Sequence, residues 1–103
     1  MTALRMSEDQ LLTGVTDALT AHGWRWTHHR RSDKALTMGD RGIPDIVAAR
    51  GGRLLFLELK TDSGVLSPDQ LAWLAEFPLN SYWFTALVVR PADYDRLVND
   101  VLR

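Results

Sequence analysis

The chain contains no cysteine, so disulfide cross-links and thiolate metal sites are excluded, as suits a reducing compartment. No run approaches the roughly 20 apolar residues of a membrane span. The opening MTALRMSEDQ lacks the apolar stretch of an export signal. The expectation is a cytoplasmic protein with no membrane partner. Repeats and low-complexity stretches are also missing. Charge of either sign is not in excess, the net value being only −1. What is present is ordinary globular composition, 46% hydrophobic and 24% charged, over 103 residues. That length suits one domain spanning 1–103 with one core.

The near-zero net charge hides an uneven distribution. Residues 25–60 hold eight basic residues (Arg25, Arg30, Arg31, Lys34, Arg41, Arg50, Arg53, Lys60) against four acidic ones (Asp33, Asp40, Asp45, Glu58). The remainder is correspondingly acidic. Such asymmetry permits a phosphate-facing surface, although a solvated face carries the same charges.

Helix and strand signals alternate along the chain. Ser7-Glu8-Asp9-Gln10 is a capping box, and Leu11, Leu12, Val15, Ala18 and Leu19 follow at helical spacing, which predicts a helix over 8–22. Residues 24–28 alternate like a half-buried strand, and a polar, glycine-bearing loop follows. Strands over 43–50 and 53–60 flank Gly51-Gly52, a pair suited to a two-residue hairpin turn. Ser67-Pro68-Asp69-Gln70 repeats the capping box and predicts a second helix ending near Pro78. A buried-type strand over 82–90 and a closing amphipathic helix carrying Tyr94, Leu97, Val98, Val101 and Leu102 complete the order α-β-β-β-α-β-α, a mixed α/β fold of the α+β kind. Trp24, Trp26, Trp73 and Trp83 are expected to lie mostly in the core.

The hairpin places charge where apolar strands do not ordinarily carry it. With Gly51 and Gly52 as the whole loop, Arg50 opposes Arg53, and Asp45 opposes Glu58 on one face. Opposed Cβ atoms lie roughly 4.5 to 5.5 Å apart, so the carboxylates converge. Lys60, two residues beyond Glu58, shares that face because strand side chains have a period of two. Two like charges need a positive partner. Carboxylate pairs of this kind seat Mg²⁺, which keeps several waters and shares its shell with substrate phosphate. A neighbouring lysine can orient or deprotonate the attacking water, and phosphodiester hydrolysis is the chemistry implied. A plain salt bridge from Lys60 to either carboxylate is the bland alternative.

Pro44-Asp45 followed by Glu58-Leu59-Lys60 resembles the signature of the PD-(D/E)XK nucleases. Gly42-Ile43-Pro44-Asp45, Glu58-Leu59-Lys60-Thr61, and Leu66-Ser67 with Gln70 and Trp73 resemble the VRR-NUC branch more specifically. Ser7-Glu8, His28, and Arg90-Pro91 with Asp93 extend the resemblance over nearly the whole chain. It implies a restriction-endonuclease-like core in which Asp45, Glu58 and the backbone carbonyl of Leu59 bind Mg²⁺ or Mn²⁺. Lys60 acts on the water, Gln70 supports the site from the second helix, and Glu8 approaches from the first. Capping and the helix dipole explain Gln70 and Glu8 equally well. His28, Arg30, Arg31, Lys34 and Arg41 are candidate DNA contacts. The double histidine His28-His29 departs from the family's usual single one.

The implied activity is a metal-dependent endonuclease acting on DNA structure, branched or Holliday-junction DNA in particular. A homodimer is expected in a bacterial or phage-infected cell, since two symmetric cuts need two sites. The competing readings are a catalytically silent nucleic-acid-binding or nuclease-subunit module, and a Mg²⁺-dependent hydrolase of small phosphates.

Overall fold

Two capping boxes decide where the main helices begin. Ser7 Oγ accepts the Gln10 amide at 3.1 Å while Gln10 Oε1 accepts the Ser7 amide at 2.9 Å, and helix α1 runs Glu8–Ala21. Its buried stripe is Leu11, Val15, Ala18 and Leu19, spaced at three and four residues or adjacent across the stripe. Ser67 and Gln70 repeat the device at the same distances and start helix α2, Pro68–Ala75. The computed structural model describes residues 6–29 and 38–103.

The fold is mixed α+β, built on one four-stranded sheet. Strands β1 (Arg25–His28), β2 (Ile46–Arg50), β3 (Arg53–Leu59) and β4 (Phe84–Val89) lie in the order β1-β2-β3-β4. β1 pairs with β2 and β2 with β3 antiparallel, and β4 joins β3 in parallel. Gly51 and Gly52, with φ of 55° and 85°, form the tight turn. Arg50 therefore opposes Arg53 and Ile46 opposes Leu57, the register that the two-residue turn predicts.

Period-two alternation then sorts the side chains. Ile46, Ala48, Leu55, Leu57 and Leu59 enter the core, where they meet the α1 stripe, Trp24, Val89, Leu97 and Leu102. Phe56 and Glu58 point to the other face, toward α2. Phe77 packs on Phe56 with ring centroids 4.7 Å apart, yet the only buried residue of α2 is the polar Gln70.

Several expected boundaries shift. Strand β2 starts at Ile46 rather than residue 43, because Gly42 takes φ 95° and Pro44 has no amide to donate. Strand β4 starts at Phe84 and is a half-exposed edge rather than a buried strand. The closing helix is not uniform: 3₁₀ over Pro91–Asp93, one α turn over Tyr94–Arg96, and π over Leu97–Val101. Side chains from elsewhere take up its last carbonyls. Trp24 Nε1 and Arg50 Nη1 both donate to Leu102 O, at 2.9 and 2.6 Å, and Arg53 Nη1 donates to Val101 O at 3.1 Å.

Those contacts correct two further expectations. Only Trp24, at 4% exposure, is a core tryptophan; Trp26 and Trp83 are exposed and Trp73 is half-buried. Trp26 lies on the edge strand β1, Trp83 just before β4 and Trp73 on α2, with indole nitrogens bonded to Thr20 Oγ1 for Trp26 and to Asp40 O for Trp73. Arg50 and Arg53, counted in the basic cluster, belong to the fold. Both guanidinium groups stack on Trp24, at 4.6 and 5.2 Å, and Arg53 also covers Tyr82 at 4.1 Å.

Candidate active site

At the end of the sheet opposite the Gly51-Gly52 turn, the strands part around a cavity of about 140 Å³. Glu8, His28, His29, Asp45, Glu58, Leu59 and Lys60 line it. Each arrives for a local reason. The Ser7 cap puts Glu8 in the first turn of α1. The β1 ladder runs one step past its last strand residue, where the His29 amide donates to Asp45 O at 2.8 Å, so both histidines reach the cavity.

Asp45 sits one residue before β2 and is fixed twice. Its carbonyl takes the His29 amide, and its side-chain Oδ2 takes the Leu59 amide at 3.0 Å. The carboxylate thus stands one step beyond the last register pair, Ile46 and Leu57, where continuing the count brings it opposite Glu58. Oδ1 makes no hydrogen bond among the described residues and is available to a ligand.

Glu58 is 1% exposed and is held from behind. Gln70 Nε2 donates to Glu58 Oε2 at 2.9 Å, while Gln70 Oε1 accepts the Ser67 amide of the capping box. The two explanations of Gln70 are therefore one arrangement. Its oxygen must face the Ser67 donor, which leaves the NH₂ group facing the carboxylate. Glutamate also satisfies a capping box, so Gln70→Glu keeps the cap and turns the donor into a second buried anion. Loss of the charge-assisted hydrogen bond alone lowers stability by about 1.5 to 3 kcal/mol, measurable by urea unfolding. Divalent cation should restore part of it.

Lys60 follows β3, its amide bonded to Val89 O at 3.1 Å. Its side chain lines the cavity beside Asp45 and Glu58. No three of the described histidine, aspartate and glutamate residues form a ready-made metal cage. Asp45, Glu58 and the Leu59 carbonyl supply instead a sparse set of hard oxygen donors, which fits a cation that retains water and takes further oxygens from substrate.

Of the other expected residues, Arg41 is exposed and stands outside the cavity lining. Arg30, Arg31 and Lys34 lie outside the described residues. Two roles escape a reading of the sequence. Gly42 lets the loop before Asp45 touch the start of α2, for a Cβ there would lie 2.5 Å from the carbonyl carbon of Asp69 and 2.8 Å from the Gln70 nitrogen. Trp73 Nε1 ties the same loop through Asp40 O at 3.3 Å. Together they dock Gly42-Ile43-Pro44-Asp45 against the helix that carries Gln70. The positive φ demanded at Gly42 was the available signal.

A mixed sheet whose hairpin ends in two opposed carboxylates and a lysine, backed by a helix presenting glutamine, defines the architectural class. A solved structure described as "VRR_NUC domain" has a similar fold, with a TM-score of 0.65 over 90% of this chain and 95% of that one. Sequence identity is 18%, so the similarity is one of fold. No family model and no curated protein matches the sequence. Among the described residues, no helix is long and apolar enough to cross a membrane.

Proposed function

We propose that the protein is a metal-dependent endonuclease of the PD-(D/E)XK type that hydrolyses phosphodiester bonds in DNA. The placement of three side chains supports this reading: Asp45 and Glu58, one step beyond the last hairpin pair, line one cavity with Lys60, and Gln70 fixes the Glu58 carboxylate. The fold shared with the VRR_NUC domain supports it.

Asp45, Glu58 and the Leu59 carbonyl would hold Mg²⁺ or Mn²⁺. When bound, the cation supplies Lewis acidity toward a phosphoryl oxygen and positive charge for the transition state. Lys60 orients the attacking water and offsets charge as the water's oxygen bonds to phosphorus and one ester P–O bond breaks. Gln70 keeps Glu58 from rotating away, and Glu8 approaches from α1. His28 at the cavity, with Arg30, Arg31, Lys34 and Arg41 on the segment that follows, contacts the phosphate backbone and sets position rather than sequence. The chain carries no zinc finger, basic zipper or other sequence-reading motif. Branched DNA, a Holliday junction above all, is therefore the substrate proposed, cut by a homodimer with two sites.

Purified protein incubated with labelled four-way junctions, duplex and single strands is expected to cut the junction with Mg²⁺ or Mn²⁺ and to cut nothing in EDTA. Nicking that survives chelation would overturn the mechanism. Tight binding with no cleavage in any divalent metal would identify the silent module instead.

A further inference from the structure

We propose that Arg90 is a positioning residue for Lys60, acting through the turn at residues 61–64; this rests on Lys60 being the group that acts on the attacking water. A lysine amine hangs on four rotatable stem bonds, so its place is defined only where something rigid lies along the stem. Here that body is the turn. Gly64 lies so close that a Cβ on it would be 3.2 Å from Lys60 Cδ.

Alone, the turn has little to hold it: its internal backbone hydrogen bond, from Gly64 N to Thr61 O, is 3.2 Å long. Arg90 draws it together. Its Nη1 donates to Thr61 O at 2.6 Å and to Gly64 O at 2.8 Å, with Asp62 O at 3.5 Å. A guanidinium is planar, permanently charged and unable to rotate its donors apart, so carbonyls converging on it share one rigid frame. Arg90 is fixed in turn, its amide donating to Asp93 Oδ2 at 2.9 Å. The neighbouring Val89 carbonyl receives the Lys60 amide. Two adjacent residues thus bear on Lys60, Val89 at its backbone amide and Arg90 indirectly, through the turn whose Gly64 lies against the stem. Arg90 does not line the cavity, which separates this role from contact with substrate.

The test compares the full-length protein with Arg90→Met, Arg90→Lys and Gly64→Ala, using labelled DNA that the unaltered protein cuts in Mg²⁺. Methionine keeps the stem's packing and removes the donors. Arg90→Met is expected to lower kcat by about 10- to 100-fold with KM within about twofold, the size of effect that a misplacement of about 1 Å produces. Arg90→Lys should recover part of the loss. Gly64→Ala leaves Arg90 untouched and presses a methyl group on the Lys60 stem; it should lower kcat in the same manner. Hydrogen exchange over 61–66 should accelerate in Arg90→Met. A loss carried by KM, with a shallower salt dependence, would overturn the proposal by putting Arg90 on a phosphate. Unchanged kcat would overturn it too. If the unaltered protein cuts no DNA, the catalytic reading of Lys60 fails by itself, and exchange at 61–66 still decides whether Arg90 holds the turn.

Discussion

Asp45→Asn should give a folded protein that no longer cuts DNA. The asparagine oxygen can accept the Leu59 amide as Oδ2 does now, at 3.0 Å, so the end of the hairpin stays closed. What disappears is the negative charge beside Glu58. A bound cation contributes several kcal/mol to a phosphoryl transition state, and each 1.36 kcal/mol is a factor of ten. The expected fall in kcat is therefore about a thousandfold, with weaker Mn²⁺ binding by calorimetry. Asp45→Ala adds a second effect, because the Leu59 amide loses its partner in a residue only 2% exposed. An unmet buried donor lowers stability by about 1 to 3 kcal/mol. The alanine protein should thus lose activity and melt earlier, whereas the asparagine protein loses activity alone. Undiminished cleavage by the asparagine protein would refute Asp45 as a metal ligand.

The second large effect is expected at a residue with no side chain. Gly42→Ala forces an L residue to φ 95° and drives a methyl carbon to 2.5 Å from the Asp69 carbonyl carbon and 2.7 Å from its oxygen. Those atoms are backbone and cannot swing aside. Strain at such a φ costs about 1 to 3 kcal/mol, and overpacking a further 1 to 3 kcal/mol. The sum, about 2 to 6 kcal/mol, is a large part of the 5 to 15 kcal/mol that holds an ordinary domain together. Urea unfolding followed by tryptophan fluorescence should show a much lower midpoint. Any folded fraction should also be inactive, since displacing the loop from α2 separates Asp45 from the helix bearing Gln70. Gly51→Asn is the matched control: φ is 55°, a value asparagine accepts, and nothing lies within 4 Å of the added Cβ. It should behave like the unaltered protein; equal stability for Gly42→Ala would show that loop and helix do not touch.

The hairpin was legible because two local rules, a two-glycine loop and a side-chain period of two, fix every opposed pair without reference to the rest of the chain. The register bears that out from Arg50 opposite Arg53 to Ile46 opposite Leu57. Gln70 was legible only by halves: a capping box is complete in itself, and nothing local says that the remaining NH₂ group meets Glu58 twelve residues earlier. Arg50 and Arg53 look in sequence like any surface arginines. Their partners, Leu102 O and Val101 O, lie 52 and 48 residues away, so only the closed fold distinguishes a carbonyl clamp from a phosphate contact. The tryptophans misled for a related reason, an edge strand and an interior one being alike in composition. The π turn over Leu97–Val101 leaves no trace in the helical periodicity.

The parallel strand β4 also governs the order in which the chain can close. The hairpin β2–β3 is local and can form within about 1 to 10 μs, but β4 pairs only after the crossover through α2 has come round. Before that, the early hairpin sets Asp45 against Glu58 without the amide of Gln70, so its own chemistry opposes it. Docking of α2 brings the Gln70 NH₂ group to Glu58 Oε2. A chain caught halfway through folding therefore lacks the contact from Gln70 that fixes the Glu58 carboxylate.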